Sequence, residues 1–247
     1  MLQTLKFDLY KILKSRSMIF VWVITGLLLV SSPLMNYLLH QNSGSVMKSI
    51  LGTGGSMPLS TWFFVAVFST KDYSSGYIKN IWTSSNKFYF VISKLIYCLL
   101  FCMIYCILTF LLDWFFNLIF AGGIIHSSQD DFLVIHFIIN ELSIILNSTA
   151  IGSVTILLCV LVKKEYIALI IMSAYFFVLA GVVEIGNFIF GQAIDFRDFT
   201  IFLNQLNLMT IPLNIFEGII LPGFIVPGVY IIVSIFLSWI IVRSRKI

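Results

Sequence analysis

The chain has 247 residues, 60% of them hydrophobic and only 11% charged, with a net charge of +4 and a mean hydropathy of +1.03. A soluble domain carries roughly 25% charged residues. That composition excludes a water-soluble globule and implies a chain solvated mainly by lipid.

The first element is LQTLKFDLYKILKSR, in which Leu2, Leu5, Leu9, Ile12 and Leu13 follow helical spacing. Lys6, Lys11 and Lys14 lie off that stripe. This predicts an amphipathic helix over 1–16, lying in the interface with its cations among anionic headgroups and bending near Ser15–Ser17.

A spanning helix needs ~20 apolar residues. Six runs are read as spans, at 18–39, 52–69, 91–112, 144–162, 166–190 and 224–242. The second is weak, because GTGGS at 52–56 and Pro58 interrupt its start. The fourth belongs to a hydrophobic stretch, Phe132 to Val162, that would be ~46 Å long as one helix against a core of ~30 Å. Its beginning therefore reads as an interfacial helix. Segment 191–222 holds TIFLNQLNLMTIPLNIFEGIILP, too apolar for an ordinary loop and broken by Pro212 and Gly218.

The basic residues set the orientation. Lys6, Lys11, Lys14 and Arg16 precede the first span, and Lys71, Lys79, Lys87 and Lys94 lie around the loop between the second and third. Lys163 and Lys164 separate the fourth and fifth, and Arg243, Arg245 and Lys246 follow the sixth. Only Lys48 and Arg197 fall on the other side. By the positive-inside rule the expected fold is all-α and membrane-integral, with six transmembrane helices and both termini cytoplasmic.

Cys98, Cys102 and Cys106 repeat every four residues, a stripe on one helix that suits packing better than disulfides or zinc. No metal site is expected. No G-x-x-x-x-G-K-[ST] and no H-E-x-x-H occurs, so the chain has neither a phosphate cradle nor a zincin site and reads as non-catalytic.

The polar stretch FSTKDYSSGYIKNIWTSSNKFYFVISKL, residues 68–95, stands out against its surroundings. Asp72 to Thr83 reads as a short helix with Tyr73, Tyr77, Ile78, Ile81 and Trp82 among Lys and Asn. The residues alone leave two readings open: a helix that offers aromatic side chains to a partner, or an interfacial loop anchored in headgroups.

The elbow helix, the six spans and the loop of form KDYSSGYIKNI…SK between the second and third together resemble an ABC-2 type permease. The resemblance implies that Asp72 and Gly76 sit at the start of a coupling helix within 71–87, with Tyr73, Tyr77, Ile78, Ile81 and Trp82. That helix would dock in a groove of a cytoplasmic ABC ATPase dimer, which binds the ATP and Mg, leaving no cofactor in this chain. A second permease subunit, identical or related, is implied as well. So is a partly re-entrant external segment, which 191–222 fits, and a path lined by the second and fifth spans. In length, topology and low charge the chain is similar to small permeases of Gram-positive bacteria that protect a lantibiotic producer. That implies a bacterial plasma membrane, a peptide substrate and no nucleic-acid partner.

Three acids fall in hydrophobic runs: Asp113, Glu141 and Glu184. Helix rise places them ~33, ~32 and ~27 Å from the inner ends of their spans, near the outer boundary. A negative outer rim suits a cationic, hydrophobic substrate. It is also what external loops carry once bases are kept inside. The rival classes are a self-sufficient secondary carrier, a structural membrane assembly factor, or an ABC-2 permease for another hydrophobic substrate. A carrier would place ionisable groups and helix breaks near the midplane.

Overall fold

The computed structural model describes residues 2–39, 56–74, 87–120, 131–164, 166–175 and 220–244. Apart from Ser15, Lys163 and Lys164, these residues are helical. The helices are α1 (Leu2–Lys14), α2 (Arg16–Leu39), α3 (Ser56–Ser74), α4 (Lys87–Phe120), α5 (Asp131–Val162), α6 (Tyr166–Tyr175) and α7 (Ile220–Ser244).

Among the described residues, three stretches are long and apolar enough to cross a bilayer: Lys87–Leu112, Glu141–Val162 and Phe224–Ser244. A fourth arises if Leu5–Lys14 and Arg16–Ser31 form one bent span. The described residues are thus all-helical, with three to four helices fit to span a membrane. Of the expected fifth span, 166–190, the described part is α6; residues 176–190 lie outside the described residues, as does 191–219.

The elbow forms where the sequence places it. The helix axis turns by 71° between α1 and α2, and Ser15 is the hinge. The Ser15 amide donates to the Lys11 carbonyl at 3.0 Å, and the Ser15 carbonyl accepts from the amide of Met18 at 2.9 Å. The bend therefore keeps both backbone groups of Ser15 paired, as a low-dielectric setting requires.

The centre of the bundle is α5, which packs against α3, α4 and α7. In its apolar stretch 67% of the residues are buried, against 28% in α4 and 22% in α7, so lipid-facing positions dominate the latter two. Close approach of α4 and α5 depends on Gly152, where an added Cβ would overlap Cys98 Sγ. Polar residues on buried faces turn back on their own helices: Thr70 donates to the Ala66 carbonyl at 2.7 Å and Thr155 to that of Ile151 at 2.8 Å. Such back-bonding satisfies a hydroxyl without water. Between α2, α3 and α4 the Phe64 and Phe101 rings stack at 4.2 Å with planes 8° apart.

The stretch before Ile144 continues into the fourth span as one helix, α5, of which Glu141–Val162 is the part fit to cross a bilayer. One expectation changes, in α1. Lys6 and Lys14 are exposed as expected, but Lys11 is not. Leu9 and Leu13 are exposed, while Asp8, Lys11 and Ile12 are buried, so Lys11 does not reach headgroups.

Helix directions gather the charges. Asp72 near the end of α3 meets Lys94 near the start of α4. Cys159 in the last turn of α5 reaches the Ala66 carbonyl, and Phe88 at the start of α4 meets Trp239 near the end of α7. Among the described residues every Lys and Arg consequently lies at one end of the bundle.

Candidate functional site

That basic end contains a closed ring of four buried charges. Asp8 and Lys11 lie three apart on α1 and share a face, as helix periodicity requires. Phe68 and Asp72 do the same at spacing four on α3, and Phe90 and Lys94 on α4. Lys11 Nζ lies 2.6 Å from Asp72 Oδ1, and Lys94 Nζ lies 2.6 Å from Asp8 Oδ1 and 2.5 Å from Asp72 Oδ2. Lys11 and Asp8 close the ring at 3.8 Å. No side chain of the four is more than 6% exposed.

Isolated buried charges are costly; this set is offset by its arrangement. The ring is formally neutral, and each carboxylate touches both ammoniums. Phe68 fills the middle, with its ring 4.2 Å from Lys11 Nζ and 4.1 Å from Lys94 Nζ, and its carbonyl accepts from Lys11 at 2.8 Å. Ser93 donates to Asp8 Oδ2 at 3.0 Å. Two further contacts fasten the elbow nearby: Tyr97 donates to the Leu5 carbonyl at 2.6 Å, and Lys71 to Ser17 Oγ at 2.6 Å. Burial, reinforced by the Lys94 ammonium, lowers Lys11 to about 7 against the opposing pull of Asp72 and Asp8.

The ring has no open cleft and no nucleophile. What it can do is mechanical: it ties α1 to the two helices that flank residues 75–86. Asp72, expected to open the coupling helix, lies two residues inside the end of α3 with its carboxylate wholly engaged by Lys11 and Lys94. A partner on 75–86 would act on Asp72 through the chain that follows it. Tyr73 lies in α3. Gly76, Tyr77, Ile78, Ile81 and Trp82 lie outside the described residues.

Glu141 is half-buried and accepts the Cys106 thiol at 3.1 Å, so its carboxylate turns toward α4. Asp113 lies in α4, and Glu184 is outside the described residues. The four cysteines are free thiols; Cys98, Cys102 and Cys159 are buried as the packing expectation has it, while Cys106 is half-buried against Glu141.

Asp8, Lys11 and Lys94 were not singled out by sequence reasoning. A signal for Lys94 was there: it falls inside the apolar run 91–112, and an ionisable group in a span calls for a partner. No family model matches the chain, and no curated protein matches it.

Proposed function

We propose that the chain is the permease subunit of an ATP-driven exporter of the ABC-2 type. In this reading it has six spans, cytoplasmic termini and a plasma-membrane location. It pairs with a second permease and with a cytoplasmic ATPase dimer that binds ATP and Mg. Its substrate is a cationic amphipathic peptide. The observation that carries the reading is the junction at the basic end, where a bent elbow helix is fastened to both helices flanking 75–86. A loop that only reversed the chain would need no such fastening. In this reading Tyr73, Gly76, Tyr77, Ile78, Ile81 and Trp82 meet the ATPase, and Asp72 anchors the segment from behind.

The test is capture. The chain purified alone hydrolyses no ATP, and from its native membrane it brings down an ATPase. Gly76→Trp loses that partner and keeps the helical content. Retention of the partner by Gly76→Trp, or absence of any ATPase, removes the reading. Asp72→Lys is not a clean probe, because it reverses a buried charge.

The buried ionisable ring favours one second reading, a secondary carrier. Lys94 lies only ~10 Å along α4 from Lys87, well short of a midplane site. Uptake or efflux driven by an ion gradient in vesicles that hold this chain alone would select the carrier.

A further inference from the structure

α3 and α4 pack along their length, through Phe64–Phe101 and Phe68–Tyr97, and a single ion pair ties their ends at the basic face. The ends of α3 and α4 meet at Asp72–Lys94, and residues 75–86 emerge from them. The elbow helix adds a third body. Asp8 holds Lys94 of α4, and Lys11 holds Asp72 and the Phe68 carbonyl of α3. Because Asp8 and Lys11 lie on one face of one helix, they make α1 a brace across the gap. Ser93 to Asp8 and Tyr97 to the Leu5 carbonyl strengthen its α4 side. Three bodies joined pairwise at this end form a triangle.

We infer that Asp8 and Lys11 are positioning residues that fix the separation and relative orientation of the ends of α3 and α4, the two flanks of the segment to which a partner protein docks in the reading above. The flank geometry itself needs no partner. The identity of the docking protein as an ATPase rests on the reading above.

Neutral double variants separate the brace from simple charge burial. Asp8→Asn with Lys11→Met removes one acid and one base and leaves Lys94–Asp72 in place. Spin labels are attached to cysteines introduced at Ser74 and Lys87, with the four native cysteines replaced. In the parent chain in detergent, the label–label distance distribution is narrow. In the double variant it broadens and its mean moves outward, at unchanged helical content. Asp8→Glu with Lys11→Arg keeps both charges and restores the narrow distribution. A distribution in the double variant that superimposes on the parent's overturns the inference, since helix packing and Asp72–Lys94 would then suffice. Should that variant not fold, the milder pair Asp8→Asn with Lys11→Gln removes the same two charges and also keeps Lys94–Asp72, and the same readout decides by the same criterion. The second arm uses the captured ATPase: the double variant retains less of it than the parent does. If the parent captures none, the transport reading falls, while the spin-label result still upholds or overturns the brace.

Discussion

The Lys94 ammonium lies 2.6 Å from the Asp8 carboxylate across 86 residues of chain, and neither side chain is more than 1% exposed. Breaking a buried pair from one side leaves an uncompensated charge, which typically costs ~3–5 kcal/mol. Lys94→Met is therefore expected to lower the thermal midpoint in detergent sharply. Adding Asp8→Asn returns the site to neutrality around Lys11–Asp72 and recovers part of the loss. Equal midpoints for the single and double variants would refute the ring as an energetic unit.

Lys11 gives a pH dependence whose sign is fixed. Its value falls to about 7 in the folded chain from 10.5. Between those values the unfolded chain holds a proton that the folded chain has released, so stability rises with pH across that window. Lys11→Arg keeps its charge throughout and should flatten this rise. Melting curves of both proteins at pH 7 and pH 9 measure the difference; parallel slopes would contradict the assignment.

At the α4–α5 contact, Gly152→Ala forces a Cβ onto Cys98 Sγ. Overpacking of this kind costs ~1–3 kcal/mol. The cost should shrink in Gly152→Ala with Cys98→Ala, because the second change removes the atom that clashes. A double-mutant cycle on thermal midpoints reads the coupling, and strict additivity would count against the close approach.

How far the sequence revealed this arrangement differs element by element. The elbow was legible, because Leu5, Leu9 and Ile12 repeat at helical spacing and Ser15–Ser17 interrupts it. Lys6 and Lys14 are exposed as the pattern suggests, but the burial of Asp8 and Lys11 was not legible. Amphipathicity suggested cations in headgroups, but acceptors on α3 and a donor on α4 draw Asp8 and Lys11 inward, and those partners are 61 and 86 residues away. No local pattern encodes such a pairing. The interfacial start and the span of the fourth hydrophobic stretch form one helix, α5, and no Pro or paired Gly lies between Asp131 and Ile144 to part them. The described start of α3 falls on Ser56, the last residue of GTGGS.

The outer face supplies a functional test that rests on the transport reading. Exposed charges are screened beyond ~8 Å at physiological salt, so any attraction of a cationic peptide is local. Glu141→Gln with Glu184→Gln is expected to lower protection against a cationic lantibiotic while the ATPase activity of the assembled complex stays unchanged. Asp130→Asn with Asp131→Asn should have much less effect. Survival assays on cells carrying each pair compare them, and equal, negligible effects would leave the acids without a role in recruitment.

The neutrality of the ring also constrains how this sequence can drift. A codon change that removes charge at position 8, 11, 72 or 94 alone leaves an unbalanced charge where water is excluded. Changes that remove one acid together with one base do not. Descent at these four positions is therefore expected to proceed by pairs: a lineage that has lost Lys94 should also have lost Asp8 or Asp72. The first helix and the two that flank residues 75–86 would then carry a shared hereditary record, although most of a hundred residues separate them in the chain.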